Sequence, residues 1–333
     1  MKLLVYGFYG KKNCGDESYM ISFPRLLEGH ELTFTADLTP ELVDSHDAII
    51  LGGGNVLNMH HLLKLQPHAG KPMVAFSVGC TDDIDFGLLS MFSEIYVRDH
   101  VAERRLRAAG VGCCYCPDAA FDFEPNVERG REILSRLSIG HMLDKRETTI
   151  AVVVNGHLGG FGQASLARDT SRFEMFSLDM ANVLDLLDAS VIFLPMMSRL
   201  PWDDRVTNGW VASRCKHWSK VVSVYEEIDV QSTLDVIGAM DAVVSTRLHS
   251  SIFSCVSGVP FVDIHHHDKN LGFLETIDRL GWAVPFWDFS REKTHELVSG
   301  MLGDSREGEV LREQALEKRR LLRGLVHGIC FNK

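Results

Sequence analysis

The chain has 333 residues, 45% hydrophobic and 24% charged, which excludes a disordered protein and leaves room for two domains with a core in each. Its 34 Lys and Arg stand against 45 Asp and Glu, a net charge of −11. That balance argues against a nucleic-acid partner, which needs a basic footprint, and it makes any local cluster of cations oppose the average field.

The opening MKLLVYGFYG starts a strand at once and lacks the apolar length and small-residue cleavage site of a secretory signal. No apolar run approaches the roughly 20 residues of a membrane helix. Eight cysteines, at 14, 80, 113, 114, 116, 215, 255 and 330, show no disulfide-framework spacing. A reduced, cytoplasmic protein without a transmembrane segment is the expectation.

Strands are predicted at Leu3–Tyr6, Leu32–Thr35, Ala48–Leu51, Met73–Ser77, Ile95–Val97 and Val111–Tyr115, with helical periodicity between most of them, as in Val101–Ala109 closed by Gly110. Pro117 to Glu147 breaks the rhythm and holds one helix candidate, Val127–Leu137. A second series follows at Ile150–Val154, Val191–Leu194, Val221–Val224, Ala242–Val244 and Pro260–Ile264, with helices at Phe173–Leu187 and Val230–Met240. Such alternation means βαβ units and parallel sheets covered on both faces. The halves echo each other, since DAIILGGG (Asp47–Gly54) and DAVVSTRL (Asp241–Leu248) each precede a strand opened by a proline, Pro72 and Pro260. The expected architecture is α/β, with two Rossmann-like domains facing across a cleft. The first spans 1–125, a connection 126–148, and the second domain 149–305. A charged helix at 306–333 packs back on the first domain.

Ligands of open α/β sheets collect at the carboxyl ends of strands, so chemistry is expected there. The loop Gly7 to Glu17 offers glycines and a helix start to an anion, with Asn13, Gly15 and Asp16 as lining residues. It is neither a GxGxxG fingerprint nor a GxxxxGK[ST] loop, so nicotinamide and P-loop readings fall. Gly52, Gly53, Gly54 and Asn55 end a predicted strand, and three successive glycines imply backbone crowding or a ligand pressed against it. Arg98 ends another strand, with Asp99 as helix N-cap; its plain alternative is a surface cation paired with Asp99 or Glu103.

The strongest signal is Thr246-Arg247-Leu248-His249-Ser250 at a strand-to-helix turn. Arg grips a carboxylate or phosphate through two parallel hydrogen bonds, and His titrates near neutrality and suits general acid work. In His265-His266-His267 alternate side chains of a strand point to opposite faces, so only His265 and His267 can share a metal, and no metal site is expected. Cys113-Cys114-Tyr115-Cys116 likewise lacks a second pair of ligands. Lys269 supplies a further charge at a strand end. No GxSxG elbow is present, and Trp202, Trp210 and Trp218 at eight-residue intervals suit packing on a helix, with a sugar-facing Trp as the alternative.

Taken in order, GFYGKKNCGDES, ILGGGNVL, IYVRD, CPDAAF and STRLHSSIFSCVSGVPFVDIHHHDK resemble the polysaccharide pyruvyl transferase family over roughly residues 3 to 280. The resemblance implies a fold similar to glycosyltransferase type B and transfer of a pyruvyl group from phosphoenolpyruvate to hydroxyls of a sugar or glycan, lipid-linked acceptors included, as a ketal. It implies no cofactor and no metal. His249 becomes the catalytic acid, Arg247, Arg98 and Lys269 hold the carboxylate and phosphate, and the glycine loops line the cleft. The chain departs from the family where histidines stand in place of an aromatic residue and Lys269 follows Asp268 directly, while GGFGQASLARDTSR matches nothing in it. Two alternatives remain open: a nucleotide-sugar glycosyltransferase, with Glu275 and Asp278 as weak ribose-binding candidates, and a non-catalytic glycan- or anion-binding protein.

Overall fold

The computed structural model describes residues 1–137, 148–158, 170–217, 220–302, 304, 306–329 and 331. Two compact units emerge: Met1–Lys11, Gly15–Asp122 and Leu316–Lys333 form the first, and Lys12–Cys14 with Phe123–Ala315 the second. Among the described residues no helix is long and apolar enough to cross a membrane.

The first unit is built on β1 (Lys2–Tyr6), β2 (Glu31–Thr35), β3 (Ala48–Leu57), β4 (Met73–Cys80), β5 (Glu94–Val97) and β6 (Cys114–Tyr115). Its helices are α1 (Cys14–Leu26), α2 (Pro40–Asp44), α3 (Met59–Leu65) and α4 (His100–Ala108). The strands lie in the order β2-β1-β3-β4-β5-β6, all parallel. The order reverses between β1 and β3, and a doubly wound sheet offers its ligand crevice at that switch point. Buried apolar side chains cover both faces, with Leu4, Ile49 and Leu51 on one side and Leu3, Val5 and Ile50 on the other. This is why the strands read as continuous apolar runs.

The second unit contains α5 (Val127–Arg136), β7 (Thr148–Val153), α6 (Thr170–Leu186), β8 (Ala189–Phe193), α7 (Asp204–Ala212), β9 (Val221–Ser223), α8 (Val230–Gly238), β10 (Ala242–Ser245), α9 (Leu248–Ser257), β11 (Phe261–His265), α10 (Asp268–Thr276), β12 (Ala283–Pro285) and α11 (Arg291–Leu302). Its sheet runs β12-β11-β10-β7-β8-β9, again all parallel, so its switch point lies between β7 and β10. Helix α12 (Arg306–Val326) contributes to both units: Leu311 is buried in the second, and Leu322 and Val326 enter a core cluster of the first. Within the first unit Arg323 Nε donates to Asp122 Oδ1 at 2.7 Å and Arg319 Nη2 to the Asp122 carbonyl at 2.6 Å.

Several elements differ from the sequence expectation. β3 does not stop at Leu51 but continues to Leu57 through the three glycines, with a register irregularity after Gly54. Gly53 and Gly54 hold φ of 69° and 77°, and a Cβ on Gly53 would lie 2.2 Å from the Tyr19 ring, so only glycine lets the strand pass. α5 packs within the second unit: Gly130 lies so close to the Asp235 backbone that a Cβ would sit 2.0 Å from its carbonyl oxygen, and Asn126 N donates to Asp235 Oδ1. β12 was not expected, being three residues long. Strand geometry ends at His265, so His267 caps α10 instead of alternating with His265. Trp210 lies in α7 and packs on the core, whereas Trp202 precedes that helix; Trp218 and most of GGFGQASLARDTSR lie outside the described residues.

Candidate functional site

The sequence-derived candidates fall into two groups, one in each unit. In the first unit Gly15, Asp16, Gly53, Gly54, Asn55 and Arg98 gather at the carboxyl edge of the sheet, around its switch point. A Cβ on Gly54 would meet Asp16 Oδ1 at 2.5 Å, and one on Gly79 would meet Asn55 Oδ1 at 2.6 Å and Arg98 Nε at 3.3 Å. The missing side chains therefore make the space in which these polar groups converge. Arg98 is not the surface cation that local sequence allowed. It is 6% exposed, and its Nη1 donates to Asp118 Oδ2 at 2.9 Å and to Tyr19 Oη at 2.8 Å. Tyr19 Oη in turn donates to the same carboxylate oxygen at 2.8 Å. Arg98 Nε is buried and has no hydrogen-bond partner among the described residues. Asp99 does cap α4, accepting from Ala102 N at 2.8 Å.

The second unit holds Asn13, Arg247, His249 and Lys269. Arg247 follows β10 and His249 stands in the first turn of α9, half-buried. The turn between them is stitched by hydroxyls: Ser245 Oγ accepts from Arg247 N at 2.8 Å, and Ser250 Oγ donates to the Arg247 carbonyl at 2.8 Å. Across the switch point, Asn155 N donates to Thr246 Oγ1 at 2.7 Å, which fixes the end of β7 against the end of β10. Asp263 on β11 is fully buried, accepts from Ser251 Oγ at 2.6 Å and from Asn270 Nδ2 at 2.9 and 3.0 Å, and so pins α9 and α10 to the strand. That bracing carries His249 and Lys269, which those two helices present.

Sequence reasoning missed two features of this edge. The first is Asp204, which opens α7 and is fully buried. Its Oδ1 accepts from Arg247 Nη2 at 2.5 Å and Gly156 N at 2.8 Å, and its Oδ2 from Met196 N and Met197 N at 3.0 Å each. Asn13 joins the same place through an antiparallel bridge to Met197. The second is His157, which joins His266 and His267 around the cations. His157 stacks on Trp202 with ring centroids 4.9 Å apart, and Asn155 Nδ2 lies 3.5 Å from His266 Nε2.

The charges explain the state of these rings. Burial first, then His267, Lys269 and Arg247, push His266 down to about 2. Desolvation and the same Arg247 and Lys269 charges push His157 down to about 4, and His267 is lowered by burial and Lys269. Near neutral pH these rings are uncharged, so the positive field comes from Arg247 and Lys269. A neutral imidazole still offers one donor and one acceptor. The group can thus bind a small polyanion at two cations and present neutral hydrogen-bonding rings beside it. Burial raises the Asp263 carboxyl to about 6 against the pull of Ser251, Asn270 and Lys269.

Two parallel sheets, each with ligand-type residues at its switch point, define an α/β two-domain protein with a fold similar to glycosyltransferase type B. A family profile for polysaccharide pyruvyl transferase matches residues 4–264, and the chain belongs to that family. Among solved structures it is similar to a protein described as a UDP-N-acetylglucosamine 2-epimerase from Listeria monocytogenes (TM-score 0.63, 10% identity, 97% of this chain and 94% of the other). It is likewise similar to the UDP-GlcNAc 2-epimerase of Neisseria meningitidis bound to UDP-GlcNAc (0.62, 8%, 98% and 99%). Sucrose-phosphate synthase from Thermosynechococcus elongatus matches at 0.61, with 12% identity over 98% and 97%. At these identities the likeness speaks for the fold alone. No curated protein matches the chain in sequence.

Proposed function

We propose that the protein transfers the pyruvyl group of phosphoenolpyruvate to two hydroxyls of a sugar in a polysaccharide or glycan precursor. Membership of the family supports the reaction class. The observation that carries the donor is the pairing of Arg247 and Lys269 with neutral histidines at the switch point of the second sheet, in a chain of net charge −11. Phosphoenolpyruvate carries a carboxylate and a phosphate, and two cations beside uncharged donors suit both.

In this reading His249 gives a proton to the methylene carbon, which leaves the adjacent carbon electron-poor. A sugar hydroxyl adds there and loses its proton. The carbon–oxygen bond to phosphate then breaks, phosphate leaves with the bonding pair, and a second hydroxyl adds and loses its proton to close the ketal. Arg247 and Lys269 hold the donor and balance charge on the departing phosphate. The steps call for no cofactor and no metal.

Thermal unfolding with phosphoenolpyruvate and with UDP-GlcNAc tests the donor. A ligand at 100 times its Kd stabilises by about 2.7 kcal/mol. Phosphoenolpyruvate is expected to stabilise the wild type and to lose that effect in Arg247→Ala and Lys269→Ala. Stabilisation by the nucleotide sugar alone would reject the pyruvyl reading in favour of glycosyl transfer.

A further inference from the structure

We propose that Asp204 is a positioning residue for Arg247, holding its guanidinium in one orientation ahead of the anion; this rests on the anion-binding reading above. Asp204 has no exposed surface, and four donors occupy its two oxygens. Three of those donors are backbone N–H groups, from Gly156 just beyond β7 and from Met196 and Met197 beyond β8. The carboxylate is therefore fixed by the chain itself. Gly156 comes close enough for this only because it has no side chain, since a Cβ there would lie 2.3 Å from the Trp202 carbonyl oxygen.

A buried carboxylate beside an anion-binding arginine works against anion affinity unless other dipoles offset its charge. Here the three N–H groups and the start of α7 do so. What remains is geometry. Asp204 takes Nη2 alone, and Oδ1 shares itself between that group and Gly156 N, so the contact is end-on rather than two parallel bonds. Arg247 Nε is left buried without a hydrogen-bond partner among the described residues. An arginine clamped through Nη2 to a carboxylate that the backbone itself fixes is held in one orientation before an anion arrives. An Arg side chain loses rotamer freedom on being ordered, and the anchor places that loss before binding.

Two measurements on the folded full chain decide the proposal. In nitrogen-15 NMR of the ligand-free wild type, the Arg247 guanidinium, identified by its loss in Arg247→Lys, should show separate, slowly rotating Nη signals. Averaged Nη signals would overturn the anchor. In titration calorimetry with phosphoenolpyruvate and, separately, inorganic phosphate, Asp204→Asn and Arg247→Ala should each weaken binding by about tenfold or more. The double variant should bind no more weakly than Arg247→Ala, because the two residues act as one unit. Losses that multiply in the double variant, or an Asp204→Asn protein that binds like the wild type, would overturn it. If the wild type binds neither anion, the functional reading fails while the NMR signals still decide the anchor. They decide it equally if Asp204→Asn does not fold.

Discussion

Replacing Asp263 by Asn should change how stability depends on pH, and the change can be worked out from the structure. Asp263 is fully buried on β11, and burial lifts its pKa from 3.8 to about 6. A carboxyl whose folded pKa lies above its unfolded pKa favours the folded state at low pH, where it is protonated in both. That advantage is complete below about pH 3.8 and is lost as pH rises through 6. A shift of about two units corresponds to about 3 kcal/mol, which the wild type forgoes once Asp263 is ionised in both states. Asn keeps one oxygen to accept from Asn270 and offers an amide to the Ser251 hydroxyl, so the bracing of α9 and α10 has a neutral substitute. Urea unfolding of wild type and Asp263→Asn at steps from pH 4 to pH 8 isolates the effect, because all other titrating groups are common to both. The stability difference, variant minus wild type, should grow by about 2–3 kcal/mol across that range. A difference that stays flat would refute the assignment of a raised pKa to this carboxyl.

Gly156→Ala should destabilise the second unit by about 1–3 kcal/mol by overpacking against Trp202, and calorimetry should show weaker phosphoenolpyruvate binding with it; full affinity would mean that the Asp204 clamp tolerates displacement. Asp118→Asn leaves the Arg98 guanidinium buried without its carboxylate and should cost about 3–5 kcal/mol in chemical unfolding. A cost near zero would show that Tyr19 suffices as its partner. His249→Gln should lower kcat about 10²–10⁴-fold while phosphoenolpyruvate affinity holds, and an unchanged turnover number would remove His249 from proton transfer.

The legible parts of this protein were those whose signal is local. Buried parallel strands are apolar along their whole length, so Leu3–Tyr6 or Ala242–Val244 could be placed within a residue or two from hydrophobicity alone. The Arg247–His249 pair could be read because both residues sit on one short turn. The course of β3 past Leu51 could not, because nothing within Gly52-Gly53-Gly54 says that Tyr19 packs where a side chain would be. Arg98 was read as a choice between ligand contact and surface pairing with Asp99 or Glu103; its partner Asp118 comes from 20 residues further on.

By itself the sequence determined the alternating strands and helices, the doubling of the pattern and the turn that carries Arg247 and His249. These depend on side chains next to one another in the chain. The tertiary structure decided the strand order, and with it which strand ends stand side by side. Thr246 meets Asn155 and Arg247 meets Asp204 only because β10 lies next to β7, bringing together residues 91 and 43 positions apart. In sequence, Asp203 and Asp204 are adjacent and chemically identical. In the fold the first caps α7, accepting from Arg205 N, while the second turns inward to hold two strand ends and the arginine. Burial separates two identical side chains, and burial is a property of the packed chain.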